Sequence, residues 1–367
     1  MQRILVVCTT DSMIWNFLVP HIKKLESKGY YVECVSSVTG DFYKNLEEIH
    51  NITMNQINFA RSPYKVSNYK AYKELCKLIK TKNFDTIFCH EPVGGALGRL
   101  AGHKCGAKAI YMAHGFHFYK GAPKSRSIYY LIEKFLSRYT DLLITINQED
   151  YIAAKKLHAQ RVKKIHGIGV DTSKFSKDES ECHYLKKAFN LTDDAITILS
   201  VGELSVRKNH RVIIEALSKI KNKKLMYFIA GEGELDQELK ELVKSLGITE
   251  QVYFLGYRTD IRTLCNSADI FAMPSIHEGL SVALMEAMGC GKAIVCSRIR
   301  GNMDLISQNE GGFLCDTFDV SAYTDALEKL ASSSEIRERF GKHNQKIIKK
   351  FDILPVEEEL IKILEEA

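Results

Sequence analysis

The chain of 367 residues is more than twice the roughly 150 of a typical single domain, so two domains are expected. Its 45% hydrophobic and 26% charged residues exclude a disordered, collagen-like or coiled-coil chain. Residues 1–170 hold 25 Lys and Arg against 13 Asp and Glu, a net +12, and residues 171–367 hold 26 against 32, a net −6. A basic first half suits contact with a polyanion or an anionic membrane surface, although charge drift in a lysine-rich proteome explains it equally well.

From Met1 the chain runs directly into an apolar strand, without the charged flank, apolar core and cleavage site of a signal peptide. No stretch approaches the roughly 18–20 continuous apolar residues of a spanning helix. The ten cysteines show no metal or redox spacing: Cys290 and Cys296 are six apart and no Cys-x2-Cys pair occurs. A cytoplasmic protein with reduced, core-packing cysteines is expected, any membrane contact being peripheral on the inner face.

In the first half, strands are expected at Ile4–Cys8, Tyr31–Ser36, Asp85–Cys89, Ala107–Met112, Asp141–Thr145 and Val162–Ile165. Helices are expected between them at Ile14–Lys28, Asn68–Lys80, Gly94–Lys104, Ile128–Arg138 and Gln148–Leu157. This β–α alternation predicts a parallel, doubly wound sheet. The segment 166–175 and the polar run after it break the pattern, and the domain boundary is placed there, 1–168 against 169–351. Alternation restarts with strands at Ile196–Val201, Leu225–Ala230, Val252–Leu255, Ile270–Met273, Ala293–Cys296 and near Gly312–Cys315. The intervening helices are His210–Lys219, Leu235–Leu246, Ile261–Ala268 and Leu280–Met288. Helical stretches close the chain at about Ala322–Lys350 and Pro355–Ala367, the last packing back on the first domain. The fold class is α/β, two Rossmann-like doubly wound domains facing a central cleft, with function sought in the β–α loops.

The strongest constellation is residues 274–295, in which Glu278 and Glu286 stand eight apart. On one helix they would lie roughly 12 Å apart along the axis, comparable to the span from sugar to ribose in an extended nucleotide sugar. Glu286 sits in an otherwise apolar helix, where a carboxylate needs hydrogen-bond donors such as a ribose diol. Glu278, Gly279, Leu280 and Ser281 are expected at the helix start, where free N–H groups meet hydroxyls or phosphate. Two structural glutamates satisfied by neighbouring groups are the plain alternative. The loop 201–210 offers Gly202, Arg207, Lys208 and Asn209 before a helix, suited to a diphosphate. Gly231 and Gly233 form a weaker glycine loop that a tight turn explains equally well, as it does Tyr257 and Arg258 beside a possible base. In the first half His114 and His117 stand on a glycine-hinged aromatic loop, with His90 at another strand end and Thr10 at the first. A packing cluster is the alternative to a sugar site. Without metal-ligand spacing or an Asp-x-Asp, no essential metal and no cofactor beyond the donor substrate is expected.

The whole chain resembles the family-four retaining glycosyltransferases of the GT-B fold, on ProSerIleHisGluGlyLeuSerValAlaLeuMetGluAlaMetGlyCysGlyLysAlaIleVal, and HisGlyPheHisPheTyrLysGlyAlaPro is similar to the bacterial exopolysaccharide and capsule branch. The resemblance implies that Glu278 contacts donor-sugar hydroxyls near the amides of Gly279 and Leu280. It implies that Glu286 holds the ribose, Arg207 and Lys208 neutralise the diphosphate, and His114 lies beside the transferred sugar. It implies a metal-independent retaining transfer of a hexose or N-acetylhexosamine, from a nucleotide sugar of the UDP class, onto a polyprenyl-diphosphate-linked saccharide. Two departures stand out: ThrThrAspSer at 9–12 replaces the family's Gly-Gly, and ArgGlyAsnMetAspLeuIle replaces its GlyGlyxProGlu, with Asp304 in the Glu position. A UDP-sugar epimerase of the same fold and a non-catalytic scaffold subunit are the alternatives. A nicotinamide dehydrogenase is disfavoured, because no G-x-G-x-x-G follows the first strand. Lys120, Lys124, Arg126, Lys134 and Arg138 follow the aromatic loop and favour an anionic leaflet over nucleic acid.

Overall fold

The structure is a computed structural model that describes residues 2–366; Met1 and Ala367, the outer ends of the expected first domain and last helix, lie outside the described residues. The chain divides into two compact units, one running to Ile168 and taking in the segment from Ile353, the other Gly169–Asp352.

In the first unit seven parallel strands, β1 (Arg3–Thr10), β2 (Tyr31–Ser37), β3 (Met54–Gln56), β4 (Thr86–His90), β5 (Lys108–Ala113), β6 (Leu142–Thr145) and β7 (Arg161–Lys164), lie in the order β3-β2-β1-β4-β5-β6-β7. Leu5, Val6, Val7 and Cys8 are all buried because the sheet is covered on both faces, which is why its strands read as unbroken apolar runs. The order reverses between β1 and β4, so their carboxyl ends flank a switch point. The second unit repeats the plan with β8 (Ile196–Val201), β9 (Leu225–Ala230), β10 (Val252–Gly256), β11 (Ile270–Met273), β12 (Ala293–Ser297) and β13 (Gly312–Cys315), in the order β10-β9-β8-β11-β12-β13. Its switch point lies between β8 and β11.

Several local expectations are corrected. The short β3 and the helix Phe42–Glu48 were not expected at all. The expected helix 14–28 is α-helical at Asp11–Met13, a π-turn at Ile14–Leu18, and α-helical again at Val19–Ser27. The single helical stretch 322–350 is two helices, Val320–Ser332 and Ser334–Ile348. Ser333 breaks it by adopting an extended backbone, and its side chain accepts from Ile336 N and so caps the second helix. The helix Ile353–Glu365 belongs to the first unit, where Glu359 Oε2 lies 3.0 Å from His166 Nδ1 and Glu366 carries its ion pair to Lys163. Its glutamates lower that unit's net charge to +8.

The helix Pro92–Cys105 is fixed beneath β5 by a buried ion pair. Arg99 is fully buried, donates from both terminal nitrogens to Glu133 at 2.7 and 3.2 Å and from Nε to Gly95 O at 2.8 Å, and lies 4.0 Å from the Tyr111 ring centroid. Glu133 stands on the helix Ser127–Leu136, so one guanidinium joins two helices and a strand. Arg99→Met is expected to destabilise this unit by about 3–5 kcal/mol, because Glu133 is left buried and unpaired. Adding Glu133→Leu should recover most of that loss, as chemical denaturation of the single and double variants will read.

Candidate functional site

At the switch point of the second sheet, the loop after β8 meets the loop after β11. Arg207 Nη1 and Lys208 Nζ each donate to the same oxygen, Oε1 of Glu278, both at 2.8 Å. Ile276 N donates to Arg207 O at 2.8 Å, so the two loops are also joined through the backbone. Burial alone would raise the Glu278 carboxyl, but the Lys208 ammonium and Arg207 guanidinium outweigh it and hold the group below the usual carboxylate range. The cations expected to neutralise a diphosphate and the carboxylate expected at the sugar therefore form one cluster.

Glu278 is not helical. The helix is Val282–Gly289, and Ser281 is its N-cap, its side chain accepting from Leu284 N at 3.4 Å. Glu278, Gly279 and Leu280 lie in the preceding loop, so the axial separation expected for a shared helix does not apply. Ser281 is occupied as the cap. Arg300, not expected from the sequence, is buried after β12, and its Nε donates to Glu278 O at 3.1 Å. Asp304 in turn accepts from Gly301 N at 3.3 Å. Arg300 opens the ArgGlyAsnMetAsp departure, but nothing in that run indicates that its side chain turns inward to the Glu278 carbonyl.

Glu286 behaves differently from Glu278. Its carboxylate has no hydrogen-bond partner among the described residues, and burial pushes its pKa up to about 7 against a small opposing effect of Lys174. The expected alternative, a Glu286 satisfied by an arginine or the backbone, is not what the structure holds. A half-buried acid without donors is a place for a ligand that brings them.

Other residues of this unit have structural work. Asn209 Nδ2 donates to Pro274 O at 3.2 Å and Thr317 O at 3.0 Å, so the side chain expected at the donor instead ties the loop after β8 to two others. A Cβ on Gly202 would lie 2.8 Å from Lys208 Cε, so this glycine leaves room for the lysine. A Cβ on Gly231 would lie 2.0 Å from Gly202 O, and one on Gly233 2.4 Å from Leu204 O. Both glycines therefore serve loop-on-loop packing, completed by Gly202 N donating to Ala230 O and Leu204 N to Glu232 O. Tyr257 is exposed, whereas Arg258 Nε donates to Asp260 Oδ1 at 2.7 Å and Nη2 to Tyr184 Oη at 3.0 Å. A local ion pair accounts for Arg258 without a donor.

In the first unit His114 follows β5 directly, with Nε2 2.9 Å from Nδ1 of His90. Burial keeps both imidazoles neutral; the His114 pKa falls to about 3. His90 is fully buried against Phe88 and so supports His114 rather than lining an acceptor surface. His117 packs beside Tyr129, ring centroids 5.0 Å apart. Thr10 is also buried. The amides of Thr9 and Thr10 donate to Glu91 Oε2 at 2.7 and 3.2 Å, and Thr10 Oγ1 lies 3.5 Å from Oε1. Glu91, absent from the expected site, holds these amides from a backbone at φ +60°. The departure from Gly-Gly at 9–12 thus fills the first loop with side chains and an internal carboxylate.

The chain matches the family model described as Glycosyl transferases group 1 over residues 184–347, and Glycosyl transferase 4-like over residues 3–147. It is 35% identical to EpsD of Bacillus subtilis, a protein whose description as a glycosyltransferase is provisional, over 99% of this chain and 96% of that one. It is 28% identical to the Escherichia coli UDP-Gal:alpha-D-GlcNAc-diphosphoundecaprenol alpha-1,3-galactosyltransferase, over 79% of this chain and 77% of that one. Among solved structures, Anabaena Alr3699/HepE in complex with UDP superimposes with a TM-score of 0.85 at 19% identity over the full length of both chains. WaaG, a glycosyltransferase involved in lipopolysaccharide biosynthesis, does so with 0.75 at 16% over 98% of this chain and 99% of that one.

The raised acid has a consequence for the protein alone. With a folded pKa of about 7 against the ordinary 4.5, Glu286 binds its proton more tightly folded than unfolded. The stability tied to that proton is present below pH 4.5 and is lost as pH rises to about 7. Glu286→Gln should nearly match wild type at pH 4.5 and exceed it by about 3 kcal/mol at pH 8, measured by denaturant melts at both pH values.

Proposed function

Because the chain belongs to the family-four, group 1 glycosyltransferases of the GT-B fold, we propose that it moves a hexosyl or N-acetylhexosaminyl group from a UDP-sugar to a polyprenyl-diphosphate-linked saccharide in bacterial surface-polysaccharide synthesis. The observation that carries this reading is the unpartnered Glu286 on the helix that follows the Arg207, Lys208 and Glu278 cluster. One group awaits hydrogen-bond donors and the adjoining loop concentrates positive charge, the two needs of a nucleoside diphosphate. Relatives support the substrates: the Escherichia coli enzyme uses UDP-Gal and a diphosphoundecaprenol acceptor, and a Campylobacter jejuni relative at 25% identity acts on a diphospho-undecaprenol saccharide.

In this reading the ribose hydroxyls donate to ionised Glu286, and the diphosphate takes a share of the Arg207 and Lys208 field. That frees Glu278 to accept from sugar hydroxyls. The bond from the anomeric carbon to the diphosphate oxygen breaks, with the developing charge stabilised by the two cations. The acceptor oxygen bonds to the same face of that carbon and passes its proton to the departing diphosphate, so configuration is retained. Arg207 and Lys208 supply the charge a divalent metal would otherwise bring, so the transfer needs none. Peripheral attachment to the inner membrane face is supported by the basic first unit and by exposed Ile128, Leu131 and Phe135 on the helix Ser127–Leu136; among the described residues no helix is long and apolar enough to cross a membrane.

Lys208→Ala should cut transfer by orders of magnitude with the fold intact, transfer should survive EDTA, and the product should keep the donor's anomeric configuration by NMR. Wild-type turnover from Lys208→Ala would overturn the site. UDP affinity should fall about tenfold from pH 8 to pH 6 as Glu286 protonates, and Glu286→Gln should bind weakly without that pH dependence.

A further inference from the structure

A second site lies wholly within the first unit, on the carboxyl side of its sheet. The loop after β5 and the helix Gln148–Ala154, which follows β6, enclose an open cavity of about 690 Å³. Its walls are apolar and aromatic, from Phe118, Pro123, Tyr130 and Ile152, and three cations line it: Lys120, Arg126 and Lys156.

The charges in this cavity are not balanced from within. Nη1 of Arg126 is buried and has no hydrogen-bond partner, its guanidinium lying 5.5 Å from the Tyr119 ring centroid. A buried guanidinium nitrogen without an acceptor costs free energy that an arriving anion would recover. Two carboxylates also line the cavity, but they are engaged with the loop backbone. Glu149 Oε1 accepts from Lys120 N at 2.7 Å, and Asp150 Oδ2 from Phe116 N at 3.1 Å and Asn147 Nδ2 at 2.8 Å. They hold the loop that carries Lys120 and leave Arg126 without a counter-ion.

The apolar lining does not stop at the cavity. Tyr130 and Ser127 line it from the helix Ser127–Leu136, whose adjoining positions Ile128 and Leu131 are 46% and 59% exposed, and Ile152, also in the lining, is 51% exposed. An anion alone would use the cations and leave this apolar path empty; a free sugar would use the aromatic rings and leave the cations unmatched. A ligand joining a diphosphate directly to a branched hydrocarbon chain uses both.

We propose that this cavity binds the diphosphate and first isoprene units of a polyprenyl-diphosphate acceptor, Arg126 and Lys156 holding the phosphates and Phe118, Tyr130 and Ile152 the isoprenoid. It rests on the glycosyltransferase reading above for its occupant, and assigns residues to the acceptor lipid that the donor machinery does not use.

The test is calorimetric titration of the full chain, saturated with UDP so that phosphates do not compete for Arg207 and Lys208, using farnesyl diphosphate, farnesol and inorganic diphosphate. Farnesyl diphosphate should bind at one site at least about tenfold more tightly than either fragment. Arg126→Met and Lys156→Met should each weaken it about tenfold or more with UDP affinity unchanged, and Ile152→Asp should erase its advantage over inorganic diphosphate. The site is overturned if farnesyl diphosphate does not bind, binds no better than inorganic diphosphate, or is indifferent to Arg126→Met. UDP binding and sugar transfer by the unsubstituted chain separate the outcomes: their failure strikes the glycosyltransferase reading, whereas their survival with unaltered farnesyl diphosphate binding in Arg126→Met strikes the cavity alone.

Discussion

The second unit is organised around one carboxylate oxygen that accepts from two cations. The strand order reverses between β8 and β11, so the loops that follow them leave the sheet at one switch point. Glu278 Oε1 joins them by taking both Arg207 and Lys208, and Asn209 and Arg300 secure the same loops through backbone carbonyls. The pairing keeps two positive side chains side by side, where their mutual repulsion would otherwise spread them; in the proposed function this preorganises them for phosphate charge. Gly231 and Gly233 let the loop after β9 pack onto the loop after β8, and Gly202 leaves room for the Lys208 side chain.

The first unit has the same reversal and resolves it in the opposite way. At the ends of β1 and β4 the amides of Thr9 and Thr10 point at an anion, and the anion is the protein's own Glu91. Holding it there requires a left-handed backbone at a non-glycine residue, a conformation costing on the order of 1–3 kcal/mol that the two amide hydrogen bonds offset. Asp11, fully buried, closes the other side by accepting from Thr39 N. One switch point therefore gathers two cations on one carboxylate, the other is filled by its own anion.

Strands and helices buried on a continuous apolar face were legible in the sequence: β8, β9, β11 and the helix His210–Lys219 fall on the expected residues. What escaped was whatever depends on partners distant in sequence. The three-residue β3 has too little periodicity to register and exists because β2 offers it an edge. Leu280 reads as helical by its apolarity, but Ser281 can cap the helix only if the helix starts after it. Gly231 and Gly233 fitted a ligand loop and a tight turn equally, because spacing does not show whether a close approach is to a phosphate or to the next loop. Glu278, Arg207 and Lys208 were visible as chemistry, yet their convergence follows from strand order. The charge imbalance between halves also changes meaning, since the acidic final helix moves to the basic unit.

That final helix has a consequence for how the molecule is made. The segment from Ile353 packs in the first unit, beside Val19–Ser27 and against His166, although the whole of the second unit intervenes in the chain. The first unit is thus not complete when its sheet leaves the ribosome, and its contact surface for this helix stays uncovered while about 185 further residues are added. At synthesis rates of about 5–20 residues per second that is a wait of roughly 10–40 s. The second unit, continuous from Gly169 to Asp352, can finish folding within that interval. The order of completion is therefore the reverse of the order of synthesis, with the unit that emerges first sealed last.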